Sequence, residues 1–125
     1  MDPDLMVACP ATRTEGMAAI QQLLDLDAPP TAAACFNDIL AFGAMLGLMA
    51  RQLRPGRDFS VSGFDDIAEA ALWRPTLTTV AVSRPAIGAA IVSLLDRRLA
   101  HRDAPTETIL TPARLVVRES TSPLQ

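Results

Sequence analysis

The sequence predicts an α/β domain, a mostly parallel sheet flanked by helices. Three observations carry this. Short apolar runs alternate with longer segments of helical period, the pattern of parallel strands joined by crossover helices. The run at 31–36 is continuous, small and apolar, as in a strand buried on both faces. Two of the runs end in polar residues, Asn37-Asp38 and Asp65-Asp66. Open α/β sheets bind ligands beyond the carboxyl ends of their strands.

The elements follow in order. Residues 5–9 are apolar and read as a strand. Residues 14–26 read as a helix, with Met17, Ile20, Leu23 and Leu24 on one face. Thr14 is placed to cap it, and Ala28-Pro29-Pro30 stops it. After the strand at 31–36, Asn37 or Asp38 caps a helix at 39–53. That helix is apolar almost all round, so it is expected to be buried on several sides. Gly43 and Gly47, one turn apart in it, are either a close helix–helix approach or merely a tolerated pair. Residues 54–58 form a turn, 59–64 the next strand, and 65–72 contain a short helix that Pro75 ends. Residues 77–80 are extended. Ser83 caps a helix that starts at Pro85, a favoured first-turn residue, and runs to about Ala100. Its apolar stripe is Ile87, Ile91, Leu94 and Leu95. A polar link at 101–105 leads to two short strands, 108–110 and 114–118, and a loose tail at 121–125.

Composition narrows the function. The 125 residues suffice for one domain with a modest core. Half are hydrophobic and the mean hydropathy is +0.24, too apolar for disorder. Net charge is −3, pI is about 5.0, and only 4% of residues are aromatic, so direct nucleic-acid binding by this chain is disfavoured. The longest apolar run, 39–50, is too short for a bilayer, which takes about 20 residues. The start, Met1-Asp2-Pro3-Asp4, lacks the basic region of a secretion signal, and the expected compartment is the cytoplasm. Cys9 and Cys35 lack metal-site or CxxC spacing and read either as a thiol pair or as small buried hydrophobes. No cofactor or metal is expected.

Candidate chemistry is confined to the strand ends. Asp65-Asp66 can accept hydrogen bonds from vicinal hydroxyls or an amine; equally, the pair suits a helix cap and first-turn acid. Asn37 can cap a helix, contact a ligand, or do both, since capping uses one atom. Asp38 reads as structural. His101, the sole histidine, sits among arginines at a helix end and not beside a nucleophile. No GxSxG, phosphate loop, HExxH or GxGxxG occurs, so the chain is not expected to be an enzyme. Trp73 is a ligand stacker, a subunit contact or a core residue.

The chain also resembles the lactose-repressor (LacI/GalR) family of bacterial transcriptional regulators. The motifs are Pro30-Thr31-Ala32, Asn37-Asp38 and Ala41-Phe42-Gly43-Ala44, then Ser60-Val61-Ser62-Gly63-Phe64-Asp65-Asp66. Pro75-Thr76-Leu77-Thr78-Thr79-Val80 and Arg114-Leu115-Val116-Val117-Arg118-Glu119-Ser120 complete the series in family order. Each motif alone is weak; the ordered set is specific.

The resemblance implies a partial periplasmic-binding-protein-like type I fold, chiefly its second lobe. Residues 5–80 and 108–120 would belong to that lobe, and 81–107 to a crossover helix normally packed in the first. It implies effector contacts at Asn37 and Asp65, with Ala11, Val82 and Arg84 at further pocket positions. Ala11 stands where many members carry an aromatic and Val82 where many carry Gln. The implied partners are a small, sugar-like effector, bound weakly by this portion alone, and a second copy of the chain. DNA would be reached only through a head domain outside this sequence. Phe42 and Trp73 fall at dimer positions, and Ile87, Ile91, Leu94 and Leu95 would join the association surface. The other class with this fold is a transport-type sugar-binding protein, which would carry a secretion signal.

Overall fold

In the computed structural model, residues 3–123 are described. The helices are α1 (Arg13–Leu24), α2 (Asp38–Ala50), α3 (Glu69–Leu72) and α4 (Arg84–Ala100). The strands are β1 (Ala32–Ala34), β2 (Ser60–Ser62), β3 (Thr79–Val82) and β4 (Ala113–Val116). A 3-10 turn at Pro3–Leu5 precedes them.

β1 and β2 pair in parallel, Ala32 opposite Ser60 and Ala34 opposite Ser62. β3 continues the layer through parallel bridges at Ser62–Thr78 and Asp65–Ala81. β4 closes it antiparallel to β3, Thr79 opposite Val116 and Val82 opposite Ala113. The expected α/β class with a mostly parallel sheet is thus observed. Beyond β4 the chain returns between β2 and β3. Fully buried Ser120 donates from Oγ to the Val61 carbonyl at 2.6 Å and accepts from the Thr78 N–H at 2.8 Å.

α2 is the centre of the core, with Ala41, Phe42, Met45 and Leu48 each 0% exposed. Ile20 of α1, Val61 of β2, Phe59 and Leu77 close around it. Each such large side chain contributes about 1.5–3 kcal/mol on burial. Glycines let α1 and α2 touch at backbone distance. A Cβ on Gly16 would run into the Leu40 carbonyl, and one on Gly43 into that of Arg13. The close-approach alternative therefore holds for Gly43, and Gly47 likewise faces the Ile20 side chain.

Several expectations shift. The α1 cap is Thr12, whose hydroxyl accepts from the Glu15 N–H at 3.2 Å, and not Thr14. Thr12 and Glu15 have the spacing of a capping box. Residues 5–9 and 108–110 form no strand. Val7, Ala8 and Cys9 make no backbone hydrogen bond to any described segment. Strand character needs a ladder partner as well as apolar residues, and neither stretch has one beside it. α4 has no buried residue. Residues 124–125 of the expected tail lie outside the described residues.

Candidate functional site

β1 and β2 run side by side, and past their ends the Asp38 N–H donates to the Phe64 carbonyl at 2.9 Å. Asn37 directly precedes the donor and Asp65 directly follows the acceptor. The two sequence-predicted residues are therefore neighbours at the carboxyl end of the sheet.

Asn37 is extended (φ −150°, ψ 174°) and its Oδ1 accepts from the Leu40 N–H at 2.9 Å. Capping thus consumes the oxygen and leaves the amide NH2 without a partner among the described residues. Asp65 is half-buried, and its N–H donates to the Val80 carbonyl at 3.0 Å. Its carboxylate makes no hydrogen bond or ion pair among the described residues. Its φ of 112° lies in a region that non-glycine residues avoid, as does Asp66 at 49°. Such strain costs on the order of 1–3 kcal/mol and concentrates where function holds it.

The other two aspartates are structural. Asp38 is 0% exposed; Oδ2 accepts from the Ile67 N–H at 2.9 Å and Oδ1 from the Thr79 hydroxyl at 2.5 Å. Burial pushes its pKa up, the two hydrogen bonds oppose that, and Asp65 and Asp66 add repulsion. Asp66 pairs with Arg118 at 2.7 Å, and Arg118 also donates to the Leu77 carbonyl at 2.8 Å. The two aspartates hold the 65–67 loop from both sides.

Val82 ends β3 half-buried, and exposed Arg84 opens α4 two residues later. The strand bridge between Asp65 and Ala81 brings this passage alongside the Asp65 loop. Ala11 is exposed ahead of α1's cap, with no hydrogen bond to the other four. Two residues went unnoticed in the sequence: Phe36 (82% exposed) and Phe64 (40%), which directly precede Asn37 and Asp65. An aromatic that ends an apolar run beside a polar pair was the available signal.

The expected association residues divide. Phe42 is 0% exposed, so it is a core residue and not an accessible contact. Its ring stacks on half-buried Trp73 with centroids 4.7 Å apart, and the Arg13 guanidinium lies 5.6 Å from Phe42 and 5.9 Å from Trp73. A helix apolar all round does not tell which apolar residue faces out. On α4, Ile91 and Leu95 are open, joined by Val92 and Leu99, whereas Ile87 and Leu94 are half-buried.

Among the described residues, no group of three or more His, Cys, Asp or Glu is placed to hold a metal ion. Nor is any helix there long and apolar enough to cross a membrane. Cys9 and Cys35 are free thiols, and burial, with a smaller effect of Cys9, pushes the Cys35 pKa up to about 11.

The periplasmic binding protein-like domain family matches residues 3–121. Among curated relatives, the chain is 39% identical over 106 residues to the transcriptional repressor PurR of Mannheimia succiniciproducens, covering 85% of this chain and 32% of that protein. It is 35% identical over 124 residues to the repressor CytR of Escherichia coli K12, covering 99% and 36%. The chain therefore spans about a third of the length of these relatives. Among solved structures, a LacI family regulator from Enterococcus faecium with bound ribose superposes with a TM-score of 0.76 at 32% identity, covering 91% of this chain and 42% of that one.

Proposed function

The chain belongs to the periplasmic binding protein-like domain family, in its LacI-type regulator branch, and from that premise we propose that it is the effector-sensing part of a LacI-type transcriptional regulator. The observation that carries the proposal is the adjacency of Asn37 and Asp65 at the ends of two parallel strands, one with an uncommitted amide and the other with an uncommitted carboxylate. A carboxylate and an amide side by side match the vicinal hydroxyls of a sugar or the ribose of a nucleoside. Exposed Phe36 and Phe64 beside them offer apolar faces for a ring. The Enterococcus relative holds ribose, which makes a pentose the first ligand to try.

On this reading residues 5–80 and 108–120 form one lobe, and 81–107 pass to another. The effector sits between lobes, and Val82 and Arg84 meet it from the passage. Effector binding shifts the population of lobe arrangements, and a head domain outside this sequence reads the shift on DNA. The protein works as a dimer in the cytoplasm and catalyses nothing.

Titration calorimetry of the chain with ribose, hexoses and purines tests this. One lobe buries only part of a ligand, whereas good sites bury most of it. Weak ribose binding, with a Kd of about 1 mM or higher (no more than ~4 kcal/mol of affinity), is expected. Asp65→Gly is expected to abolish it while raising stability by about 1 kcal/mol, since glycine relieves the strained φ. Binding unchanged by Asp65→Gly would overturn the assignment.

A further inference from the structure

The chain has no lysine, so its cationic contacts fall to arginine. Most arginines are spent within the fold; Arg118 is held by Asp66 and Arg13 by Glu69. Arg84 and Arg114 differ. Both are exposed, and neither makes a hydrogen bond or ion pair among the described residues. Both also lie close to Asp65. Ala81 bridges Asp65 on one side and pairs with Arg114 of β4 on the other, while Val82 pairs with Ala113. Side chains alternate along a strand, so Arg114 shares the face of Ala81, opposite to that of Val82. Arg84 follows Val82 by two residues, in the first turn of α4. Neighbouring strands are about 4.8 Å apart, and the three residues from Ala81 to Arg84 extend at most about 11 Å. The Asp65 and Arg84 backbones are thus within roughly 12 Å of each other. A monosaccharide and an arginine side chain span that together. Nothing in the fold compensates Arg84 for its position. A cation in the first turn opposes the helix dipole, and α4 has no acid there to offset it.

We infer that the effector is an anionic polyol, a sugar acid or a sugar phosphate, and that Arg84 selects it: the hydroxyls lie on Asn37 and Asp65, and the anionic group on Arg84. The inference rests on the effector reading of Asn37 and Asp65 and adds the ligand's charge to it. Hydroxyls suit that pair better than an amine does. A hydroxyl donates to the Asp65 carboxylate and accepts from the free Asn37 amide, whereas an ammonium only donates and would face the amide donors. The acid group is at the far end of the ligand from these hydroxyls, because Asp65 repels an anion placed beside it. A guanidinium holds a carboxylate or phosphate through two parallel hydrogen bonds. A neutral sugar uses Asn37 and Asp65 alone and leaves Arg84 in water.

The test is NMR titration of the full chain with ribose, ribonate and ribose 5-phosphate. One charge-assisted contact is expected to make an acidic ligand bind about 10-fold more tightly than ribose. Which of the two acids gains tells carboxylate from phosphate. Arg84→Gln is expected to bring that acid down to the affinity of ribose and to leave ribose itself unchanged, with circular dichroism native. Arg114→Gln, the free cation on the opposite strand face, is expected to keep the gain. Asp65→Gly is expected to abolish binding of all three. Ribose bound through Asp65 with no gain from either acid overturns this inference and leaves the effector reading standing. So does a gain that survives Arg84→Gln, or one that falls equally in Arg114→Gln, which would reduce it to net charge. No Asp65-dependent binding of any of the three overturns both.

Discussion

Replacing Asp38 by Ala is expected to destabilise the fold by about 3–5 kcal/mol, although Asp38 is one of the repelling carboxylates near the site. The substitution strands two donors. The Thr79 hydroxyl is fully buried and loses its 2.5 Å acceptor; the half-buried Ile67 N–H loses one at 2.9 Å. A buried donor without a partner costs about 1–3 kcal/mol, the upper part of that range applying to Thr79. Loss of an acid from the first turn of α2 adds roughly 0.3–1 kcal/mol. Relief of the buried carboxylate's desolvation offsets part of the sum. Asp38→Asn keeps the shape and an acceptor for Ile67, and Thr79 turns its hydroxyl to accept from the new amide. Its expected cost is about 1 kcal/mol. Urea unfolding reads both, as a shift in midpoint at unchanged slope. If Asp38→Ala lies within 1 kcal/mol of the parent, or Asn is as damaging as Ala, the bolt between α2, β3 and the 65–67 loop is not what holds them.

The same pair of chains gives a pH signature. Burial, opposed by the hydrogen bonds and reinforced by Asp65 and Asp66, raises the folded-state pKa of Asp38 above 3.8. The folded state thus holds this proton more tightly than the unfolded state. Its contribution is complete below 3.8 and is lost as pH rises through the folded value. Glu119 has the opposite sign. Hydrogen bonds from the Thr76 N–H and hydroxyl lower its pKa from 4.5. Its contribution is present above 4.5 and lost on acidification. The Glu119 contribution is common to parent and Asp38→Asn and cancels in their difference. That difference is expected to shrink in the parent's disfavour as pH rises from 3.8; a flat difference would show that Asp38 titrates as it does in the unfolded chain.

Gly43→Val forces α1 away from α2, because the added carbons meet the Arg13 carbonyl; a loss of about 1–3 kcal/mol is expected in thermal melts. Association is expected to run through α4, where Ile91, Val92, Leu95 and Leu99 are each more than half exposed on one face. Sedimentation is expected to show a dimer or larger species that Leu95→Glu weakens; a monomer at high micromolar concentration with α4 still open would count against it.

What the sequence made legible is what local physics decides. Ser83 and Asn37 announce their helices because a cap is read from a few residues. The α/β order follows from periodicity, and the run ends placed Asn37 and Asp65 where the structure has them. The rest depended on partners far along the chain. Asp38 meets Thr79 41 residues away, and Asp66 meets Arg118 52 away, so although Asp38 read as structural, neither partner was readable. Residues 5–9 have strand composition, yet pairing is a property of the neighbourhood. Phe42 sits in a helix with apolar residues on every side, and only packing shows that it faces Trp73 and the core.

The half-site is stiff, and that limits what it can signal. Asp38 fastens the 65–67 loop to α2 and β3, and Arg118 fastens the same loop from the returning chain. Together with the Asp38–Phe64 main-chain hydrogen bond, these ties oppose a change in the spacing of Asn37 and Asp65. A ligand shifts an equilibrium only by interactions that differ between the two states. Contacts to a spacing that never changes contribute affinity equally to both. On the proposed reading, then, Asn37 and Asp65 hold the effector, and discrimination comes from groups that move relative to them. In this chain those lie where burial falls away beyond β3, at Arg84 and along α4, which has no buried residue of its own. The strained φ of Asp65 fits this division, since strain persists only where the surroundings over-determine it. An effector held by a rigid pair can act as a lever only if the second set of contacts is free to be in either of two places.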